Sequence, residues 1–202
     1  MNDHYYSAAP SSEHKYQHAE WSYRGYPLRF LTDAGVFSKG EVDFGTATLL
    51  KALPETMAGR VLDLGCGWGA VGISIGKAWP ECEIVMCDVN GRALELSEKN
   101  AKTNGVSVQI VESDGLASVP GTFDYIVTNP PIRAGKQVIY KMFLDSAKRL
   151  TEQGKLFLVI RKQQGAESAL KYLKTIFDQV DTVEKSGGFW VIRCQGGKQD
   201  AV

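Results

Sequence analysis

No run of apolar residues in this 202-residue chain approaches the ~20 needed to cross a bilayer, which leaves no candidate membrane-spanning helix. The four cysteines, at 66, 82, 87 and 194, never fall in a Cys-x-x-Cys pair. That spacing argues against a zinc site or a disulfide framework and fits free thiols in a reducing cytoplasm. Net charge is lacking as well, with 23 basic against 23 acidic residues. A balanced chain is not drawn to polyanions at large, so any nucleic acid would have to be held by a local patch. The opening Met1-Asn-Asp-His-Tyr-Tyr6 has no basic stretch ahead of an apolar one, which predicts no secretory leader. Internal repeats are absent. At 44% hydrophobic residues the chain can bury one good core, so one main domain is expected over 41–195. A polar and aromatic extension over 1–40 is expected to pack near the site, and 196–202 to form a polar tail.

What is present is concentrated in two segments. Val61-Leu62-Asp63-Leu64 is a short apolar run that ends at Gly65-Cys66-Gly67-Trp68-Gly69. It reads as a buried parallel strand followed by a tight turn. Residues 70–78 read as a helix packed on the sheet, although two glycines weaken that reading. Glycines at 65, 67 and 69 remove Cβ where backbone must approach a ligand, and amides at a helix start favour a polar or anionic group. Gly65, Gly67 and Ala70 formally match a dinucleotide fingerprint. A second strand, 83–88, ends in Asp88, about twenty residues beyond the glycines, the spacing of a carboxylate that holds ribose hydroxyls. Asp88 could instead cap the helix at 92–103, but Asn90 can fill that role. A third strand, 108–111, leads to Asp114-Gly115, which is also an ordinary turn sequence.

The second segment closes a fourth strand, 123–128, with Asn129-Pro130-Pro131. Proline cannot continue a ladder and restricts the residue before it, so Asn129 is held extended at a strand's carboxyl end. Open α/β sheets bind ligands at that edge. The Asn129 amide oxygen and the Pro130 carbonyl can both accept from one planar amino group and stabilise positive charge developing on its nitrogen. Asn-Pro alone is also a common strand-ending turn. Further helices are expected at 42–53, 137–150 and 166–177, a fifth strand at 155–160, and a hairpin of 180–185 with 188–194 around Ser186-Gly-Gly188. This alternation predicts an open, mostly parallel α/β sheet with one antiparallel strand at its edge.

Asp63 through Gly69 resembles motif I of the class I S-adenosylmethionine-dependent methyltransferases. Asn129-Pro130-Pro131 resembles motif IV of those that methylate amino groups. With Gly35-Val36-Phe37-Ser38 upstream and Val159-Ile-Arg-Lys162 downstream, the chain is similar, from about 14 to 193, to the small-subunit (16S) ribosomal RNA guanine-N2 methyltransferases in their short single-domain form. Larger members carry a second, amino-terminal domain. The resemblance implies a cytoplasmic enzyme without metal, S-adenosylmethionine as cofactor, and ribosomal RNA or the small ribosomal subunit as partner. It implies a Rossmann-like sheet of seven strands ordered 3-2-1-4-5-7-6 with helices on both faces.

Residue by residue, the resemblance places Asp63 at the methionine moiety and Gly65, Cys66, Gly67 and Gly69 in the cofactor loop. Asp88 falls at the ribose, Val89 against the adenine, and Asp114 with Gly115 at the adenine amino group. Phe37, Ser38, Asp43 and Thr46 belong to a segment over the cofactor. Asn129 and Pro130 become the catalytic pair, with Asn129 also touching the cofactor. The family pattern has an aromatic after the second proline, and this chain has Ile132. The target base is therefore expected to rest on Pro131, Ile132 and Phe37, with Trp68 as another candidate; Phe37 or Trp68 could equally be core. Arg133, Lys136, Arg161 and Lys162 follow neighbouring strand ends and are expected to rim the site and contact phosphates. Adenine N6 or a protein glutamine amide would suit the same amide–carbonyl pair. An NAD-dependent oxidoreductase has no need of Asp63 or of Asn-Pro-Pro. A non-catalytic RNA-binding module on this scaffold would not need Asp63, Asp88 and Asn129 together.

Overall fold

Apolar runs bounded by glycine become strands, and amphipathic stretches between them become helices. The computed structural model describes residues 13–38 and 40–198. Residues 1–12, on which the expectation about a leader falls, and the last four residues of the expected tail lie outside the described residues. Seven strands form the central sheet: β3 (Gly59–Leu64), β4 (Cys82–Asp88), β5 (Val108–Glu112), β6 (Phe123–Thr128), β7 (Leu150–Arg161), β8 (Phe177–Ser186) and β9 (Phe189–Gly197). Their order is β5-β4-β3-β6-β7-β9-β8, with β9 alone antiparallel to its neighbours. Counted within the sheet this is 3-2-1-4-5-7-6, the order that the resemblance implies; the antiparallel strand, expected at the edge, lies one place in, because β8 pairs on its outer side. Gly196 and Gly197, assigned to a tail from composition, are the last residues of β9.

Both faces of the parallel strands are covered, so their sequences are almost continuously apolar. Along β3, Val61 joins one core and Leu62 and Leu64 the other; along β4, Ile84 and Met86 face one way and Val85 and Cys87 the other. Helices α1 (Phe44–Lys51), α2 (Ala70–Ala78) and α3 (Gly91–Asn104) cover the first face, and α4 (Lys136–Arg149) and α5 (Ala166–Ile176) the second. The glycines that weaken the helix reading of α2 have a packing cause. A Cβ on Gly72 would lie 2.6 Å from Met86 Sδ, and one on Gly76 2.5 Å from Val106 Cγ1. Helix α2 therefore sits closer to the sheet than any side chain would allow. Strand β7 begins five residues before the apolar run, because its register against β6 shifts between Phe123 and Tyr125 to absorb a polar stretch. No helix among the described residues is long and apolar enough to cross a membrane.

A feature that composition did not suggest is a separate antiparallel hairpin, β1 (Gln17–Tyr23) and β2 (Tyr26–Thr32). Its signal is present in the sequence: Ala19 and Tyr23, then Leu28, Phe30 and Thr32, alternate around Arg24-Gly25 and are buried. Arg24 and Gly25 take φ of 49° and 84°, the two positive values of a type I′ turn. Arginine in place of asparagine there hides the turn.

The outer edge of β2 is closed by side chains, not by a strand. Asn100 Oδ1 accepts from Leu31 N at 2.7 Å, and its Nδ2 donates to Leu31 O at 2.9 Å. One turn later, Asn104 treats Arg29 in the same way, at 3.0 and 2.8 Å. Asn100 Nδ2 also donates to Trp68 O at 2.8 Å, inside the glycine loop. Asn100→Ala strands two backbone acceptors and a donor, and is expected to cost roughly 2–3 kcal/mol. Urea unfolding at constant m-value measures it. A loss below about 0.5 kcal/mol, the range of neutral surface changes, would show that water replaces the clasp.

Candidate active site

Strand order reverses between β3 and β6, and the carboxyl ends of β3, β4 and β6 open there into a crevice. The crevice is a cleft of about 350 Å³. Its floor is the loop after β3. Gly65 and Gly67 adopt φ of 75° and 55°, and a Cβ on either would meet no atom within 4 Å. Bare backbone therefore faces the space where a ligand would lie. The loop is tied down from β4: Gly65 N and Cys66 N both donate to Cys87 O at 2.9 Å.

Three acids stand at successive strand ends. Asp88 Oδ2 accepts from Gly67 N at 2.9 Å and its Oδ1 from Asn90 N at 2.9 Å, so this carboxyl braces the loop while it lines the cleft. Each oxygen retains a second acceptor site, enough for a cis-diol. Burial pushes the Asp88 carboxyl up, opposed by these amides. Asn90 caps α3, accepting from Ala93 N. Asp63 is buried and accepts from Gly72 N at 2.8 Å. Burial raises its carboxyl to about 7, the Gly72 amide pulls back, and the charge of Asp88 adds to the rise. Asp114 is exposed at the far wall.

Residues 33–38 cover the cleft from above. Arg92 Nη1 donates to Ala34 O at 2.8 Å, Asn90 Nδ2 to Gly35 O at 3.1 Å, and Trp68 Nε1 to Phe37 O at 2.7 Å and Ser38 O at 3.1 Å. Trp68, one candidate support for a base, is 3% exposed and packs 4.9 Å from the Phe30 ring. It belongs to the core and holds the cover; Phe37, 40% exposed, stands at the rim.

The amide after β6 is oriented by a chain of hydrogen bonds. Thr128 Oγ1 first pins the strand end, donating to Leu64 O at 2.8 Å. Asn129 Nδ2 donates to Thr46 Oγ1 at 3.0 Å, and Thr46 Oγ1 donates to Asp43 Oδ2 at 2.5 Å. Asp43 Oδ1 caps α1 through Gly45 N and Thr46 N. With the amide nitrogen engaged, Oδ1 is the end that Asn129 offers the cleft, and donation from its nitrogen makes that oxygen a stronger acceptor.

Of the residues singled out from the sequence, the cleft gathers Phe37, Ser38, Asp43, Thr46, Asp63, Gly65, Cys66, Gly67, Trp68, Asp88, Val89, Asp114, Gly115, Asn129, Pro130 and Pro131. It does not take in Gly69, Ile132 or the four cations. Gly69 caps α2 at φ 91° and presses on Ile73. Ile132 starts a short 3-10 turn and packs partly on the second core. Arg133 is exposed; Lys136 Nζ lies 5.0 Å over the Tyr140 ring, Lys162 Nζ 3.8 Å from Glu167, and the Arg161 guanidinium 5.4 Å over the Phe189 ring. The sequence reading missed Val138 and Met142, which line the cleft from one face of α4 at i, i+4 spacing. All four cysteines are free and buried, and burial pushes the Cys87 thiol up to about 12, which leaves no thiolate to act in the cleft.

Residues 27–193 match the methyltransferase small domain. An uncharacterized protein of Bacillus subtilis, YbxB, is 43% identical over 199 residues, 96% of this chain and 99% of that protein. A ribosomal RNA small subunit methyltransferase C of Pseudoalteromonas atlantica is 36% identical over 168 residues, 80% of this chain and 47% of its own length. A T. thermophilus 16S rRNA N2 methyltransferase, solved in complex with AdoMet and guanosine, superposes with a TM-score of 0.82 at 27% identity, over 90% of this chain and 50% of that one. The chain thus spans about half the length of these two named methyltransferases.

The raised carboxyl of Asp63 has a consequence for pH. The folded state keeps a proton that the unfolded chain releases near pH 4, so this contribution is full below that pH and lost as pH climbs to about 7. Asp88 shifts in the same direction. Asp63→Asn should flatten the pH dependence of ligand-free stability between about pH 5 and 7.5, checked by urea midpoints across that range. An unchanged slope would show that Asp63 is ionised throughout.

Proposed function

The chain belongs to the methyltransferase small domain family, and on that premise we propose that it methylates the exocyclic N2 of a guanine in small-subunit ribosomal RNA. S-adenosylmethionine is its cofactor, supplying an electrophilic methyl group on a sulfonium. The cleft suits such a molecule: bare glycine backbone where it must approach closely, and acids from three strand ends beside it. In this reading Asp88 accepts the ribose hydroxyls, Val89 packs on the adenine, and Asp114 reaches its amino group. Asp63 answers the positive methionine end, and a cation there favours its ionised form.

The observation that carries the reaction is the orientation of Asn129. Its Oδ1 and the Pro130 carbonyl each accept one N–H of the incoming amine. That draws the nitrogen out of conjugation with its ring and turns its lone pair towards the methyl donor. As positive charge grows on nitrogen, both oxygens stabilise it. Neither group is a base, so the proton leaves to solvent. The choice of guanine rests on two of the similar proteins: the P. atlantica one is named for small-subunit ribosomal RNA, and the T. thermophilus enzyme was solved with guanosine.

Asn129→Ala should lower single-turnover transfer about a hundredfold or more, with cofactor affinity within a few-fold. Near-normal transfer would reduce Asn129 to a turn residue. Thr46→Val, which removes only the orienting hydroxyl, should cost between about ten- and a hundredfold, and Thr46→Ser should restore the rate. The substrate is tested by nucleoside mass spectrometry after incubation with small ribosomal subunits, naked 16S RNA and protein. N2-methylguanosine is expected. N6-methyladenosine or methylated glutamine would overturn the assignment.

A further inference from the structure

We propose that Phe44 and Phe189, with the Arg161 guanidinium, form a stacking platform for the unpaired base next to the target guanine. This rests on RNA being the substrate, as argued above.

Phe44 is 54% exposed, the largest exposure of any large apolar side chain among the described residues. Its ring centroid lies 5.9 Å from that of Phe189, tilted by 45°. The two rings are seated reciprocally on glycine. A Cβ on Gly45, beside Phe44, would lie 2.8 Å from Phe189 Cε1, and one on Gly187, beside the β8–β9 turn, 2.4 Å from Phe44 Cε1. Each ring therefore rests on bare backbone contributed by its partner's segment. Such rings are held before any ligand arrives, so little rotamer entropy remains to be lost on binding. Contact between α1 and the hairpin turn accounts for one edge of each ring. It does not account for the half of Phe44 that faces water.

Position and charge identify the occupant. Phe44 lies between Asp43, which caps α1, and Thr46, whose hydroxyl holds the Asn129 amide. Two residues apart on α1, Phe44 and Thr46 face different sides of the helix: Thr46 lines the cleft and Phe44 does not, so the platform lies outside the cleft, beside the carboxyl end of β7. Arg161 stands directly opposite Phe189 in the β7–β9 ladder, its guanidinium 5.4 Å from that ring, and Lys162 follows. An aromatic face with a neighbouring guanidinium suits a nucleobase and its phosphate, because every base has a π-face and Arg adds charge. Net charge of zero leaves stacking to do what a basic surface would otherwise do. Ile132, at the position where the resemblance implies an aromatic, packs partly on the second core, so support for a splayed strand has to come from another element.

The test uses the full chain with S-adenosylhomocysteine bound and a short single-stranded RNA carrying 2-aminopurine beside its one guanine. Wild-type protein should quench the probe. Phe44→Ala should weaken binding about tenfold and abolish the quench, Phe44→Trp should retain both, and cofactor affinity should stay constant. Equal binding and quenching by Phe44→Ala overturns the platform while leaving the RNA reading intact. Wild-type protein that binds neither this strand, nor naked 16S RNA, nor the small ribosomal subunit removes the RNA reading and the platform with it. Sedimentation in which wild type is a dimer and Phe44→Ala a monomer assigns the surface to a second copy of the chain and also overturns the proposal.

Discussion

The side-chain amide of Asn100 joins a strand edge, a helix and the glycine loop in one set of hydrogen bonds. Its oxygen takes the Leu31 amide, and its nitrogen serves both Leu31 O and Trp68 O. The loop is thereby fixed from its outer side while Cys87 O and Asp88 fix it from the sheet. Trp68 passes the constraint on, because its indole N–H carries the carbonyls of Phe37 and Ser38. One buried amide on α3 thus takes part in placing the cover, the loop and the hairpin. Such a network is stable only when every member is satisfied, which is why two asparagines one turn apart are needed to close the edge of β2.

The same economy runs through the acids. Asp88 takes one backbone amide from the glycine loop and one from the start of α3, and still lines the cleft. Asp43 caps α1 and, through Thr46, turns the Asn129 amide. Each carboxyl is held by backbone before any ligand is considered, so the site is rigid where charge must be placed. Preorganisation of this kind is the main resource of an enzyme whose reaction needs positioning and electrostatic support more than acid–base chemistry.

The sheet was legible because buried parallel strands write themselves as apolar runs, and glycine and Asn-Pro mark where those runs stop. All five helices of the main domain follow from that alternation, while the strand order follows from the family resemblance. The acids at 63, 88 and 114 and the amide at 129 were legible because strand ends place them together. The amino-terminal hairpin was missed because its turn is Arg-Gly, and its edge partner is a pair of asparagines on a helix that no local pattern connects to it. Trp68 and Ile132 were read as candidate supports for a base, but whether a side chain faces a core or a cleft is decided by packing. Nor could sequence show that Phe44 and Phe189 meet over two glycines 142 residues apart, as Gly45 and Gly187 are.

The hairpin precedes its anchor in the chain by a long interval. Leu31 and Asn100 are 69 residues apart, and Arg29 and Asn104 are 75 apart. A two-stranded hairpin is marginal by itself in water. At about 5–20 residues per second, the ribosome makes β2 wait on the order of several seconds before the helix that completes it is even synthesised. The cover over the cleft hangs from the same helix and from Trp68, so it too is assembled late. During that interval the aromatic strands of the hairpin have an open edge. The chain thus makes a hairpin synthesised before the sheet among the last elements to settle, and a nascent cofactor site exists only after the middle of the protein has folded beneath it.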